Sequence, residues 1–338
     1  MRKALSIGVV LLAFVLGWIA HNLLGNNENQ PTISLPKIIE RPLDKYTIEN
    51  LGKADIAPGK LTLENTLDEN KDYSSVLFAF EFNPEVQGKI KKKTTGEINI
   101  PKGDGPFPLI VMLRGYIDQK LYKTGDGTRR AGEMFAKNGF ITVAPDFLGY
   151  GESDGEAGNI FESRFQTYVT VISLLKTIEE SNDLKDLHFD HKTTFLWAHS
   201  NGGQIALTVL EITGKAYPTV LWAPVSKPFP YSILYYTDDS EDGGKLIRRE
   251  LSEFEKVYDV DAYSLTNYLD RIQAPLQIHQ GGKDDAVPIE WSNNLVEKLK
   301  AQQKDVTYFT YPSANHDMRP LWNTVILNDL EFFQKHLE

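Results

Sequence analysis

The 338-residue sequence contains no cysteine. Disulfides, a thiol nucleophile, thiolate metal sites and a lipidated N-terminal cysteine are therefore excluded. An excess of positive charge is missing too: 36 Lys and Arg stand against 46 Asp and Glu, a formal net charge of −10. Such a balance opposes an electrostatic nucleic-acid partner. The basic cluster "KIKKKTTGE" is short, interrupted and strand-like, and it reads as a lysine-guarded strand edge. Metal signals are equally scarce. There is no His-x-x-x-His pair, and the acidic "DDSED" lacks EF-hand spacing. The glycine-rich "DFLGYGESD" has neither a P-loop lysine nor GxGxxG, which leaves a rigid turn. No internal repeat or low-complexity tract is found, and no metal or cofactor is expected.

Long apolar runs are also absent, with one exception. In "MRKALSIGVVLLAFVLGWIAHNLLG" two cations precede a run from Ala4 to Ala20 that is broken only by Ser6 and glycines. Its length is at the lower end of the ~17–25 residues that span a bilayer as a helix. Being apolar all round, it does not suit a core helix, which would show a polar face. Cleavage after Ala20 or Gly25 would put Trp18 or Leu23 at the −3 position, where a signal peptidase wants a small residue. Residues 1–24 are thus expected to be an uncleaved membrane anchor, with a cleaved signal peptide as the alternative. Arg2 and Lys3 would stay inside, leaving the remaining chain outside the cytoplasm. Residues 25–42, polar and punctuated by proline, read as an extended tether.

From about Leu43 the pattern is strand-like, and "SSVLFAFEF" and "KTTGEINIP" flank a turn as an antiparallel pair. After Pro106 short apolar strands alternate with amphipathic helices. The strands are "PLIVMLRG", "FITVAPD", "TTFLWAHS", "PTVLWAP", "PLQIHQGG" and "VTYFTYP". Helical periodicity marks 127–138, 161–180, 202–214, 291–302 and 321–337. This alternation predicts an α/β domain over 43–338, with a mostly parallel sheet covered on both faces. The stretch from about 227 to 271 interrupts it. At about fifty residues between strands it is too long for a connector, and it leaves a strand end where ligands bind in open sheets. It predicts a small, partly helical cap.

Ser200, in "FLWAHSNGGQIAL", ends a strand and opens a helix. A serine there is lifted above the sheet on a sharp turn, as in G-x-S-x-G, with Ala198 replacing the first glycine. Its hydroxyl needs a base, and the base needs an orienting carboxylate, in the chain order Ser, Asp or Glu, His. Of seven histidines, His316 lies in the loop after the last strand, where the base belongs. His279 is inside a strand and reads as structural, and the His199 side chain should point away from the nucleophile. Asp284 and Asp285 both follow "PLQIH" and are candidates for the acid. Oxyanion donors are expected from the backbone N–H of Asn201 and that of Tyr116.

Taken in order, "INIPKGDGPFPLIVMLRGY", "GFITVAPDFLGYGESD", "AHSNGG", "GGKDDAVP" and "NHDM" resemble the α/β hydrolases, and more narrowly the catalytic domain of the prolyl oligopeptidase family of serine peptidases. The resemblance runs from about residue 75 to the end of the chain. It implies the α/β-hydrolase fold and a catalytic set of Ser200, Asp284 and His316. Asp284 is preferred because the family motif reads Asp-x-x-Val-Pro. Arg114 departs from it, standing where such families commonly have histidine before glycine. The β-propeller that restricts access in prolyl oligopeptidase is not expected, because only about fifty residues precede the first sheet strands. Small peptides, amides or esters are therefore the expected substrates. Dienelactone hydrolases and acetyl esterases share much of the pattern, so a carboxylesterase is the alternative enzyme. A noncatalytic surface-binding module is the alternative of another class.

Overall fold

The computed structural model describes residues 40–180 and 187–337. The expected anchor and nearly all of the tether lie outside the described residues. Among those described, no helix is long and apolar enough to cross a membrane.

Nine strands are described: β1 (Lys60–Glu69), β2 (Tyr73–Phe82), β3 (Lys92–Pro101), β4 (Phe107–Leu113), β5 (Ile141–Pro145), β6 (Phe189–His199), β7 (Thr219–Trp222), β8 (Leu276–Gly281) and β9 (Val306–Tyr311). They form one sheet in the order β1-β2-β3-β5-β4-β6-β7-β8-β9. The first three run antiparallel and β3 meets β5 antiparallel, while every pairing from β5 to β9 is parallel. The helices are α1 (Ile48–Lys53), α2 (Arg129–Lys137), α3 (Ile160–Glu180), α4 (Asn201–Thr213), α5 (Tyr231–Leu234), α6 (Lys245–Glu255), α7 (Ile289–Ala301) and α8 (Trp322–Lys335).

Near-continuous apolar sequence in the central strands makes a sheet that must be covered twice, because successive side chains point to opposite faces. In β4, Leu109, Val111 and Leu113 join one core while Ile110 and Met112 join the other. The first core takes its helical cover from α3 and α4, the second from α2 and α8. Chain order reverses at β4: the chain goes out to β5 and returns to pair β6 on the opposite side. Ligands bind at such switch points, outside the carboxyl ends of the strands. With Leu113 opposite Ala198 in the register, the segments leaving β4 and β6 emerge side by side.

Two expectations are corrected. The region after Leu43 begins not with strands but with a 3₁₀ turn (Pro42–Tyr46) and α1, whose Leu43, Tyr46, Ile48 and Leu51 are buried. Thr47 caps α1 by accepting from the Asn50 amide. The lysine cluster does not guard an edge. Lys92 and Lys93 open β3, which is paired on both sides, and the Lys92 ammonium bonds the Gly155 carbonyl. The edge on this side of the sheet is β1, which is mostly exposed and carries two register irregularities that blunt it against further pairing.

The insertion after β7 is partly helical, as expected, but much of it is core. Phe229, Phe254 and Tyr263 are buried and pack on Phe161 and Phe165 of α3, with Phe165 and Tyr263 stacked 4.8 Å apart. Leu265 and Leu269 are also buried. At its acidic tip Asp238, Glu241 and Asp242 are solvated. Nearer the site, the Tyr236 hydroxyl donates to the Ala286 carbonyl, two residues from Asp284.

Candidate active site

Ser200 occupies the turn between β6 and α4 with φ 56° and ψ −119°. Side chains other than glycine avoid this region, so the conformation is strained and the surrounding packing must hold it. The clamp is visible. The Ser200 amide donates to the Trp222 carbonyl of β7 at 2.9 Å, and its carbonyl accepts from Gly203 and Val225. Gly202 is required by close approach, since a Cβ there would lie 2.0 Å from the Leu113 carbonyl oxygen. Ala198, fully buried, is accommodated in place of the first glycine.

Asp284 and His316 are brought into direct contact. The imidazole Nδ1 lies 3.0 and 2.9 Å from the two carboxylate oxygens. The Asp284 side chain is fully buried and that of His316 is 19% exposed. One carboxylate oxygen also accepts from the amides of Ala286 and Val287, at 2.9 and 2.8 Å, and the other from Gln280 Nε2 at 3.0 Å. Burial acts to raise this carboxyl, but His316 and the two amides outweigh it and hold the group below its ordinary value. Asp285, by contrast, is exposed.

Between Ser200 Oγ and His316 no hydrogen bond is formed. In ligand-free sites such bonds are often long and tighten only with substrate. His316 nevertheless touches the residue adjoining the nucleophile, because the His199 ring lies tilted against the His316 ring with centroids 4.5 Å apart. His199 Nε2 meets the His316 carbonyl at 3.1 Å, so this nitrogen carries the proton. Burial first, then the charge of His316, pushes His199 down to about 4. Through its bond to the His316 carbonyl it braces the loop that carries His316, a role that has no local signature in the sequence. His279 is structural as expected. It is buried in β8, with Nδ1 2.8 Å from the Tyr311 hydroxyl and Nε2 3.0 Å from the buried Asp329.

The segment leaving β4 passes directly over Ser200. A Cβ on Gly115 would lie 3.0 Å from Ser200 Cβ and 3.5 Å from Oγ. Neither the Tyr116 nor the Asn201 N–H has an acceptor among the described residues, while the Tyr116 side chain is 75% exposed. Two cavities are lined by residues of these segments or their neighbours. One of about 260 Å³ is lined by Tyr116, Tyr150, Ile160, Arg164, Asn201 and Gln204. The other, of about 380 Å³, has Trp197, Trp222 and Trp322 together with His199, Arg130 and Arg319. Among the described residues no cluster of three or more potential ligands could hold a metal ion.

A serine on a strained strand-to-helix turn, at the switch point of a parallel sheet, defines the α/β hydrolases, and this chain is a serine hydrolase of that fold. It belongs to the prolyl oligopeptidase family, whose sequence pattern matches residues 129–338. A Bacillus subtilis (strain 168) protein named uncharacterized peptidase YtmA is 26% identical over 249 residues, covering 72% of this chain and 89% of its own length. A Yersinia pestis protein named as a carboxymethylenebutenolidase is 26% identical over 245 residues, or 69% and 79% of the two chains. In fold the chain is similar to acetyl xylan esterase 1 from a Thermoanaerobacterium species, with a TM-score of 0.62 at 15% identity over 86% of this chain and 94% of that one.

Proposed function

We propose that the protein is a membrane-tethered serine hydrolase that cleaves small peptide or amide substrates through Ser200, His316 and Asp284. Ser200 Oγ attacks the substrate carbonyl while His316 Nε2 takes its proton. Asp284 holds the opposite nitrogen protonated and stabilises the imidazolium that forms. The N–H groups of Tyr116 and Asn201 receive the oxyanion. His316 then returns the proton to the departing amine, and water releases the acyl group by the same steps in reverse order of roles. The observation that carries this reading is the buried, bidentate Asp284–His316 contact beside a strained serine. The amide preference rests on the family and on the Bacillus subtilis relative's name. The second reading, an ester or lactone hydrolase with the same residues, is favoured by the name of the Yersinia pestis relative. Tethering rests on the apolar run Ala4–Ala20 behind Arg2 and Lys3, and it would leave the catalytic domain outside the cytoplasm.

The test is a panel of p-nitrophenyl esters and aminoacyl or dipeptidyl amides, run on the wild-type chain and on Ser200→Ala. Serine-dependent amide turnover supports the peptidase. Turnover confined to esters selects the second reading. A wild-type chain that turns over neither substrate class, while binding them, would make the fold a noncatalytic module.

A further inference from the structure

Arg114 is an expensive residue to keep where it lies. Its side chain is buried, Nε has no partner, and no carboxylate pairs with it among the described residues. A buried, unpaired guanidinium costs several kcal/mol unless its remaining donors are well used. Here they are aimed at backbone. Nη1 donates to the Gly115 carbonyl at 2.9 Å and Nη2 to the Asp146 carbonyl at 2.8 Å. Two aromatic rings crowd it, with Cζ 3.9 Å from the Tyr150 ring centroid and 4.6 Å from that of Tyr122, and the two rings themselves meet edge to face at 5.2 Å.

We propose that Arg114 is a positioning residue that orients and polarises the Gly115–Tyr116 peptide toward the oxyanion; this rests on the function proposed above. The Gly115 carbonyl and the Tyr116 N–H belong to one planar trans peptide, so they point in opposite directions. Tying the carbonyl to the guanidinium therefore fixes the N–H, which has no other acceptor among the described residues. Gly115 itself lies against Ser200, with no room for a side chain to spare. A cation on the carbonyl also makes the N–H of the same amide a stronger donor.

The far end of the device is equally anchored. Asp146, fully buried, receives the Tyr122 hydroxyl at 2.6 Å, Thr124 Oγ1 at 2.8 Å and Thr95 Oγ1 at 2.6 Å. The guanidinium thus spans from a loop locked onto β3 to the peptide over the nucleophile. Without it, the Gly115–Tyr116 peptide would be free to rotate, and the N–H would reach the oxyanion only part of the time.

The experiment compares wild type with Arg114→Met and Arg114→Lys on an activated acetyl ester, after Ser200→Ala has been shown to abolish turnover. Activity retained by Ser200→Ala would refute the nucleophile, separately from any result on Arg114. For Arg114→Met, kcat should fall about 10²-fold with KM within about threefold, as expected when one oxyanion donor is lost. Affinity for a trifluoromethyl ketone, which forms an oxyanion on the enzyme, should fall by the same factor. Affinity for the product acid should not. Arg114→Lys keeps a cation that reaches one carbonyl, so it should recover about tenfold, and it serves alone if the Met variant does not fold. Unchanged kcat, or equal losses in ketone and product affinity, would overturn the proposal and leave Arg114 a packing residue.

Discussion

Replacing Asp284 by Asn removes one charge and exchanges one acceptor for donors, and the surrounding hydrogen bonds dictate the outcome. One carboxylate oxygen takes the Ala286 and Val287 amides, so the substituted amide must put its oxygen there. Its NH₂ then faces Gln280 Nε2 and His316 Nδ1. Gln280 cannot turn to help. Its own oxygen accepts from Ser292 Oγ at 2.7 Å and its nitrogen also donates to the Gly281 and Val287 carbonyls. His316 must then accept at Nδ1, which moves the proton to Nε2, the atom that should receive the proton of Ser200. Losing the charge-assisted bond costs about 3 kcal/mol and opposing two buried donors about 1–3 kcal/mol more. At ~1.36 kcal/mol per decade the sum is about 10³–10⁴ in turnover. Loss of a triad carboxylate by Asn substitution typically costs the upper figure, about 10⁴. Asp285→Asn, at an exposed position, should stay within about tenfold, since surface changes away from a network cost little. Steady-state kinetics of both variants on one ester decide the matter. A larger loss for Asp285→Asn would move the acid and refute the reasoning.

Three further outcomes are expected. Asp329 accepts the indole N–H groups of Trp197 and Trp222 at 3.1 and 2.9 Å in a fully buried setting. Asp329→Ala should therefore cost about 4 kcal/mol in urea unfolding, and Asp329→Asn clearly less, because it keeps an acceptor; a loss under about 1 kcal/mol for Ala would contradict the network. His199 is pushed from 6.5 down to about 4 in the folded chain, so between those values the unfolded chain binds the extra proton. Its contribution to stability is complete above about pH 6.5 and falls as the pH drops toward 4, by about 3 kcal/mol at most. His199→Gln should flatten that slope, and an identical slope would show that His199 contributes nothing to it. If residues 1–24 are an uncleaved anchor, the protein stays in the membrane pellet after carbonate extraction with its N-terminus intact; a soluble product beginning near His21 or Asn26 would identify a signal peptide.

The central strands and the helices that cover them were readable because their apolar residues are consecutive or spaced by the helical period. Strand-to-loop transitions marked where Ser200 and His316 emerge and narrowed the acid to Asp284 or Asp285, and only the resemblance to the family motif favoured Asp284. The hidden features depend on contacts between distant segments. The antiparallel edge strand β1 carries one buried residue in ten, Leu61, so no alternation announced it. The insertion read as a small cap because of its length and its departure from a strand end, which say nothing of what its apolar residues pack against. Phe254, Tyr263 and Leu269 find partners on α3 and α4 only once the chain is folded. Arg114 stood out as a departure from the histidine that the family resemblance leads one to expect, but its use needed the position of the Gly115 carbonyl. The bracing of His316 by His199 joins residues 117 positions apart and has no local signature.

The most direct test of the account is the mass of the protein after treatment with a fluorophosphonate. One adduct per chain should form, peptide mapping should place it on Ser200, and Ser200→Ala should take up none while keeping the wild-type unfolding midpoint. Equal adduct formation by a folded Ser200→Ala chain, or an adduct mapped to another serine, would contradict the assignment of the nucleophile and with it the proposed mechanism.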